Sequence, residues 1–192
     1  MNGIPIYINK FEYDSCVNFA VNSIGNQREL SFGQKGESRG EKEMYENTLQ
    51  GKLGEIAFKK FLDISELKGM SLDFEVYPKG QWDNGVDICV NKINIDVKSV
   101  KSISKWFLLE VNKTELITSD VFVITSLRYS DTGNTYIDLK GFTSKSKILS
   151  QPVLKRGECI PNTGCKLKTD NYSMPISSLC SNWSLLLDKL SD

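Results

Sequence analysis

The chain has 192 residues, with 24 Lys and Arg against 24 Asp and Glu, five Cys and no His. That length suits one compact domain or a domain with a small extension. The missing imidazole excludes every mechanism that needs histidine as base, acid or ligand, including Ser-His-Asp and Cys-His hydrolysis and histidine-ligated zinc.

Tyr13, Cys16, Val17, Ala20, Val21 and Ile24 recur at helical spacing and predict an amphipathic helix over residues 10–24, with Asn9 and Glu12 placed as a capping pair. Residues 25–39 turn polar around Gly25, Gly33 and Gly36 and read as a loop or linker, either a boundary or a DNA-facing loop. Residues 41–62 are rich in helix formers and carry Tyr45, Leu49, Leu53, Ile56 and Ala57 along one stripe, so they should form the longest helix. Gly51 and Gly54 inside it each cost about 1 kcal/mol against alanine. Close packing, or close approach to a site beside Glu55, is the expected compensation.

Short β-rich runs follow at residues 73–77, 86–90, 93–100, 106–111, 121–127 and 135–142. Asn112 and Glu115 have capping-box spacing and predict a short helix between the runs at 106–111 and 121–127. Leu179, Trp183, Leu186, Leu187 and Leu190 form a second helical stripe, either core or a homodimer contact. The expected fold class is α/β, a central mixed β-sheet flanked by helices. Its segments are an N-terminal helix and polar loop (1–40), a core (41–150), and a C-terminal basic loop and helix packed on that core (151–192).

Residues 86–100 hold two alternating runs separated by Asn91-Lys92. Read as a two-residue hairpin loop, that pair sets Val90 opposite Ile93, Ile88 opposite Ile95 and Asp87 opposite Asp96. Val86, Ile88, Val90, Ile93, Ile95 and Val97 then share an apolar face, and Asp87, Cys89, Asn94, Asp96 and Lys98 share the other. Opposed carboxylates with Cβ atoms roughly 5 Å apart repel unless a cation lies between them. A divalent metal would turn that repulsion into binding, and two hard carboxylates without His favour Mg²⁺ or Mn²⁺ over zinc. Lys98, roughly 7 Å along the strand from Asp96, is close enough to bias a water or a phosphate. The implied reaction is metal-assisted phosphodiester hydrolysis. A solvated hairpin face shows the same alternation; the conjunction of Asp87 in register, Lys98 in phase and Glu55 beside two glycines separates the readings.

The order Gly51-x-x-Gly54-Glu55 on a helix, then Gly85-Val86-Asp87, then Ile95-Asp96-Val97-Lys98-Ser99 resembles the PD-(D/E)XK nuclease superfamily. The resemblance covers about residues 41–127 and extends weakly through Gly141-Phe142. Val86 stands where that pattern has proline, Asp96 where glutamate is more frequent, and the crossover helix after the motif strands is short. The resemblance implies a restriction-endonuclease-like core in which Asp87 and Asp96 bind Mg²⁺, with Mn²⁺ as substitute, and the Val97 carbonyl completes the coordination. Lys98 would orient or help deprotonate the attacking water, and Glu55 would act from the helix through the metal or its waters. Products would carry a 5′-phosphate and a 3′-hydroxyl.

Asp83, in Trp82-Asp83-Asn84-Gly85, reads as a turn acid or an extra ligand. Cys16, Cys89, Cys159, Cys165 and Cys180 form an odd set without a close pair, and no signal peptide opens the chain, so a reducing cytoplasm is expected. Cys159, Cys165 and Cys180 lack the spacing and the fourth ligand of structural zinc, and Cys89 reads as a small packed thiol. No apolar run approaches the roughly 20 residues of a membrane span.

The net charge of zero is a cancellation. Residues 1–139 hold 16 basic and 20 acidic groups, residues 140–168 seven and one, and residues 169–192 one and three. Lys140, Lys145, Lys147, Lys155 and Arg156, with Lys101 and Lys105 just past the motif, form either a rim for a phosphate backbone or a solvated surface. Only four of the 24 basic residues are Arg, leaving few bidentate readers of bases. The expected function is a metal-dependent DNA endonuclease in restriction or a phage or mobile-element setting. The rivals are a junction or flap nuclease and a nucleic-acid-binding module without turnover.

Overall fold

The computed structural model describes residues 3–27, 40–67, 72–76 and 86–192. Asn9 and Glu12 cap the first helix reciprocally. The Asn9 N–H donates to the Glu12 carboxylate at 2.8 Å and the Glu12 N–H donates to the Asn9 side chain at 2.9 Å. From that start α1 runs over Lys10–Gln27. The polar loop expected before residue 40 lies mostly outside the described residues. Helix α2 occupies Glu41–Ile64, and its Leu53, Ala57, Phe58 and Leu62 are fully buried, each large side chain contributing about 1.5–3 kcal/mol.

Strands β1 (Ile4–Ile8), β2 (Ile88–Val90), β3 (Ile93–Ser99), β5 (Val121–Tyr129) and β6 (Thr135–Ser144) form a mixed five-stranded sheet in the order β1-β6-β5-β3-β2. Only β3 and β5 are parallel neighbours. Strands β4 (Trp106–Glu110), β7 (Val153–Leu154) and β8 (Asn171–Pro175) make a second, antiparallel sheet in the order β4-β8-β7. β5 is buried on both faces from Val121 through Ser126. Val121 and Val123 face the helices, while Phe122 and Ile124 join Phe107, Leu109, Ile148, Met174 and Leu179.

The fold is α/β, but helices cover one face of the main sheet, and the second sheet with the short α3 (Lys145–Leu149) covers the other. The expected strand at 73–77 is absent over its described residues. The Asp73 carboxylate accepts the Glu75 N–H at 2.7 Å and the Asp73 carbonyl accepts from Lys52 at 2.8 Å, so this backbone is held against α2 and not in a ladder. The helix expected after Asn112 is only a 3-10 turn over Val111–Lys113, closed by the Thr114 hydroxyl on the Val111 carbonyl at 2.7 Å. β1, β7, β8 and α3 have no clear pattern in the sequence: β1 carries Pro5, which a strand tolerates at a sheet edge, and the others are very short or weakly patterned.

Helix α4 (Trp183–Ser191) buries Trp183, Leu186 and Leu190 in the chain's own core, with the Trp183 ring 5.2 Å from Phe61 between centroids. The stripe expected as core or dimer contact is therefore core. One hydrophobic cluster draws Ile6, Cys16 and Ala20, then Leu53 and Ile95, then Leu186 and Leu190, joining residues from all three expected segments. Among the described residues, no helix is long and apolar enough to cross a membrane.

Candidate active site

Asn91 and Lys92 both have positive φ, 45° and 66°, as a two-residue hairpin turn of the primed type requires. The turn sets Ile88 opposite Ile95, Cys89 opposite Asn94 and Val90 opposite Ile93, the expected register. The ladder stops there. The Asp87 N–H donates to the Ile95 carbonyl at 3.0 Å, one residue out of register. Asp87 is thus not squarely opposite Asp96, as the uninterrupted hairpin predicted. Its carboxylate instead turns to the strand edge and accepts the Val97 N–H at 2.7 Å. A strand residue's N–H and C=O point to the same side, so the Val97 carbonyl faces the edge that β2 leaves uncovered among the described residues, beside Asp87.

Asp96 and Lys98 share a sheet face with their register partners Phe122 and Ile124. Asp96 is 2% exposed, while the Lys98 side chain is 46% exposed and opens the site to solvent. Lys98 Nζ lies 2.8 Å from Asp96 Oδ1, an ion pair between a buried carboxylate and a half-exposed ammonium. Burial pushes the Asp96 carboxyl up to about 7; Lys98 opposes the rise, and Asp87, within hydrogen-bonding reach, adds to it. The Lys98 ammonium is held above its ordinary value. Desolvation pulls it down, but the attraction of Asp96, then of Asp87 and Glu55, outweighs that.

Gly54 brings α2 onto the sheet. A Cβ there would fall 2.6 Å from Thr125 Oγ1 and 2.7 Å from Ser99 Oγ, whereas one at Gly51 would meet nothing within 4 Å. Close packing therefore accounts for Gly54 alone. Glu55, the next residue, is bound by Lys52 at 2.6 Å. Lys52 is itself 8% exposed, donates to the Asp73 carbonyl at 2.8 Å and lies over the Phe19 ring at 4.6 Å. The structure brings Asp87, Asp96 and Lys98 together and places Glu55 outside that group, its charge felt at Lys98. In the sequence the one signal for Lys52 is its i,i+3 spacing to Glu55, which marks a helical pair.

The basic residues divide. Lys140 pairs with Asp138 at 3.4 Å, Lys155 pairs with Asp170 at 3.0 Å, and Lys145 donates to the Ile117 carbonyl at 2.5 Å. Lys147 reaches the Ser178 carbonyl at 3.4 Å. Arg156, Lys101 and Lys105 are exposed, and among the described residues none of their side chains has an ion-pair partner. Asp83 and Gly85 lie outside the described residues. The described cysteines are free thiols. Burial pushes the Cys16 thiol up to about 12, which removes it as a nucleophile at neutral pH. Cys159 pairs across its hairpin with Lys166 while Cys165 meets Ile160, so the two thiols point to opposite sides.

Among the described residues, no three His, Cys, Asp or Glu side chains converge to enclose an ion. Two adjoining carboxylates, that of Asp96 buried, with the Val97 carbonyl edge and the half-exposed Lys98 beside them, fit a hard cation, Mg²⁺ or Mn²⁺. A separate cavity of about 420 Å³, lined by Tyr7, Tyr13, Asp14, Tyr129 and Asn134 among others, opens at the β1 edge, away from these carboxylates. Comparison with family models, curated proteins and solved structures gives no match for this chain.

Proposed function

We propose that the chain is a Mg²⁺-dependent endonuclease with a restriction-endonuclease-like core, hydrolysing DNA phosphodiester bonds to 5′-phosphate and 3′-hydroxyl ends. The observation that carries this reading is the buried Asp96 carboxylate, 2.8 Å from the Lys98 ammonium and in contact with Asp87. An acid so placed is unfavourable as structure and favourable as a cation ligand. A bound divalent ion would polarise a phosphodiester oxygen and neutralise charge that develops on it.

The chain's residues divide the remaining work. Asp87 and Asp96 would hold the cation, with Asp87 Oδ2 accepting the Val97 N–H and its carboxylate in contact with Asp96. The half-exposed Lys98 reaches solvent where a phosphate arrives and donates to the attacking water or a phosphate oxygen. Glu55, pinned by Lys52, acts from α2 by its charge on Lys98. A binding module without turnover is the second reading, favoured by the lack of a third ligand side chain among the described residues. Digestion of plasmid in Mg²⁺ and in EDTA, with chemical mapping of the ends, tests the choice. Mg²⁺-dependent cuts with 5′-phosphates support the nuclease; a mobility shift in Ca²⁺ with no cuts in Mg²⁺ or Mn²⁺ supports the binder.

A further inference from the structure

Just past the site strand, residues Lys101-Ser102-Ile103-Ser104-Lys105 form a tight turn closed by the Ser104 N–H on the Lys101 carbonyl at 2.8 Å. Ile103, at the tip, is 85% exposed. Both stems are fixed. The Val100 N–H donates to the Thr125 carbonyl at 2.8 Å, and the Val100 carbonyl accepts from the Gln50 amide of α2 at 2.8 Å. On the other side, the Ile176 N–H donates to the Lys105 carbonyl at 2.9 Å and the Ser104 hydroxyl donates to the Trp106 carbonyl at 3.1 Å. The turn therefore presents an apolar side chain on an anchored frame between two exposed lysines. Neither lysine has an ion-pair partner among the described residues, in contrast to Lys140 and Lys155.

We infer that this turn is a DNA wedge: Ile103 inserts between stacked base pairs while Lys101 and Lys105 hold the flanking phosphates. The inference rests on the nuclease reading above. An apolar tip between cations matches a polyanion with an apolar, separable interior, which stacked base pairs supply. Lys101 lies three residues beyond Lys98, at most about 10 Å of extended chain, so a step opened by Ile103 lies a few nucleotides from the scissile phosphate. Anchored stems mean that little ordering accompanies insertion.

A linear duplex carrying 2-aminopurine at successive positions, bound by the intact protein in Ca²⁺, tests this. Wild type and Ile103→Leu should raise 2-aminopurine fluorescence by unstacking, while Ile103→Ser should not and should bind roughly tenfold more weakly. Replacing both Lys101 and Lys105 by Ala should lower the salt dependence of binding by about two counterions. If wild type cleaves in Mg²⁺ yet Ile103→Ser matches its binding and fluorescence, the wedge is overturned and the nuclease reading stands. If wild type neither binds in Ca²⁺ nor cleaves in Mg²⁺, the underlying reading fails, and the wedge with it.

Discussion

Replacing Asp96 by Asn should stabilise the protein while removing its activity. In the fold the Asp96 carboxyl titrates at about 7 against an ordinary 3.8. Between those values the folded chain keeps a proton that the unfolded chain has released, so stability is lost as pH rises through that window. At about 1.4 kcal/mol per pH unit, the full difference is about 4 kcal/mol, of which about 3 kcal/mol opens from about pH 5 upward. Asn is isosteric, bears no charge to bury, and offers an amide N–H toward Asp87. Its advantage over wild type in EDTA should widen by about 3 kcal/mol between about pH 5 and pH 8, or roughly 6–12 °C in Tm. Urea and thermal melts followed by tryptophan fluorescence, with Trp183 buried as reporter, measure the gap. Saturating Mg²⁺ should narrow it at pH 8 by stabilising only wild type. A gap independent of pH in EDTA, or one in favour of wild type at pH 8, would refute the argument.

Gly54→Ala should destabilise by about 1–3 kcal/mol through its collision with Thr125 and Ser99, whereas Gly51→Ala, opening onto empty space, should gain up to about 1 kcal/mol; urea unfolding separates the two. Lys52→Met should cost about 3 kcal/mol, because the Glu55 side chain, only 13% exposed, loses its ammonium partner, and adding Glu55→Gln should recover at least half in the same assay. Lys92→Gly should raise stability by about 0.5–1 kcal/mol by relieving the positive φ of the hairpin turn, and a loss of stability on melting would speak against that turn type.

The parts of this fold legible in the sequence are those set by local rules. The Asn9 and Glu12 capping pair, the stripe of α2 and the period-two hairpin around Asn91-Lys92 depend on neighbours a few residues apart. The burial of Asp96 was not legible. Its face shares Phe122, which is covered by a sheet assembled from residues 106–110, 153–154 and 171–175, and two of those strands show no usable pattern. The slip at Asp87 arises because β2 is only three residues long, leaving the carboxylate to cap Val97. The pairing of Lys140 with Asp138 and of Lys155 with Asp170 was likewise not legible, because the second pair lies 15 residues apart in the chain and meets only through the fold. Lys101 and Lys105, on an anchored turn, kept the exposure that a phosphate contact requires.

Asp87, Asp96 and Lys98 are proposed to form a cation-dependent phosphodiester-cleaving site. Cleavage of supercoiled plasmid in Mg²⁺ by wild type and by Asp87→Ala, Asp96→Ala and Lys98→Ala proteins, each verified as folded by its melting transition, tests it most directly. Wild type should cut, EDTA should stop it, and each variant should lose at least about 100-fold in rate. Wild-type rates in all three variants, or a folded wild type inert toward DNA in both Mg²⁺ and Mn²⁺, would contradict it.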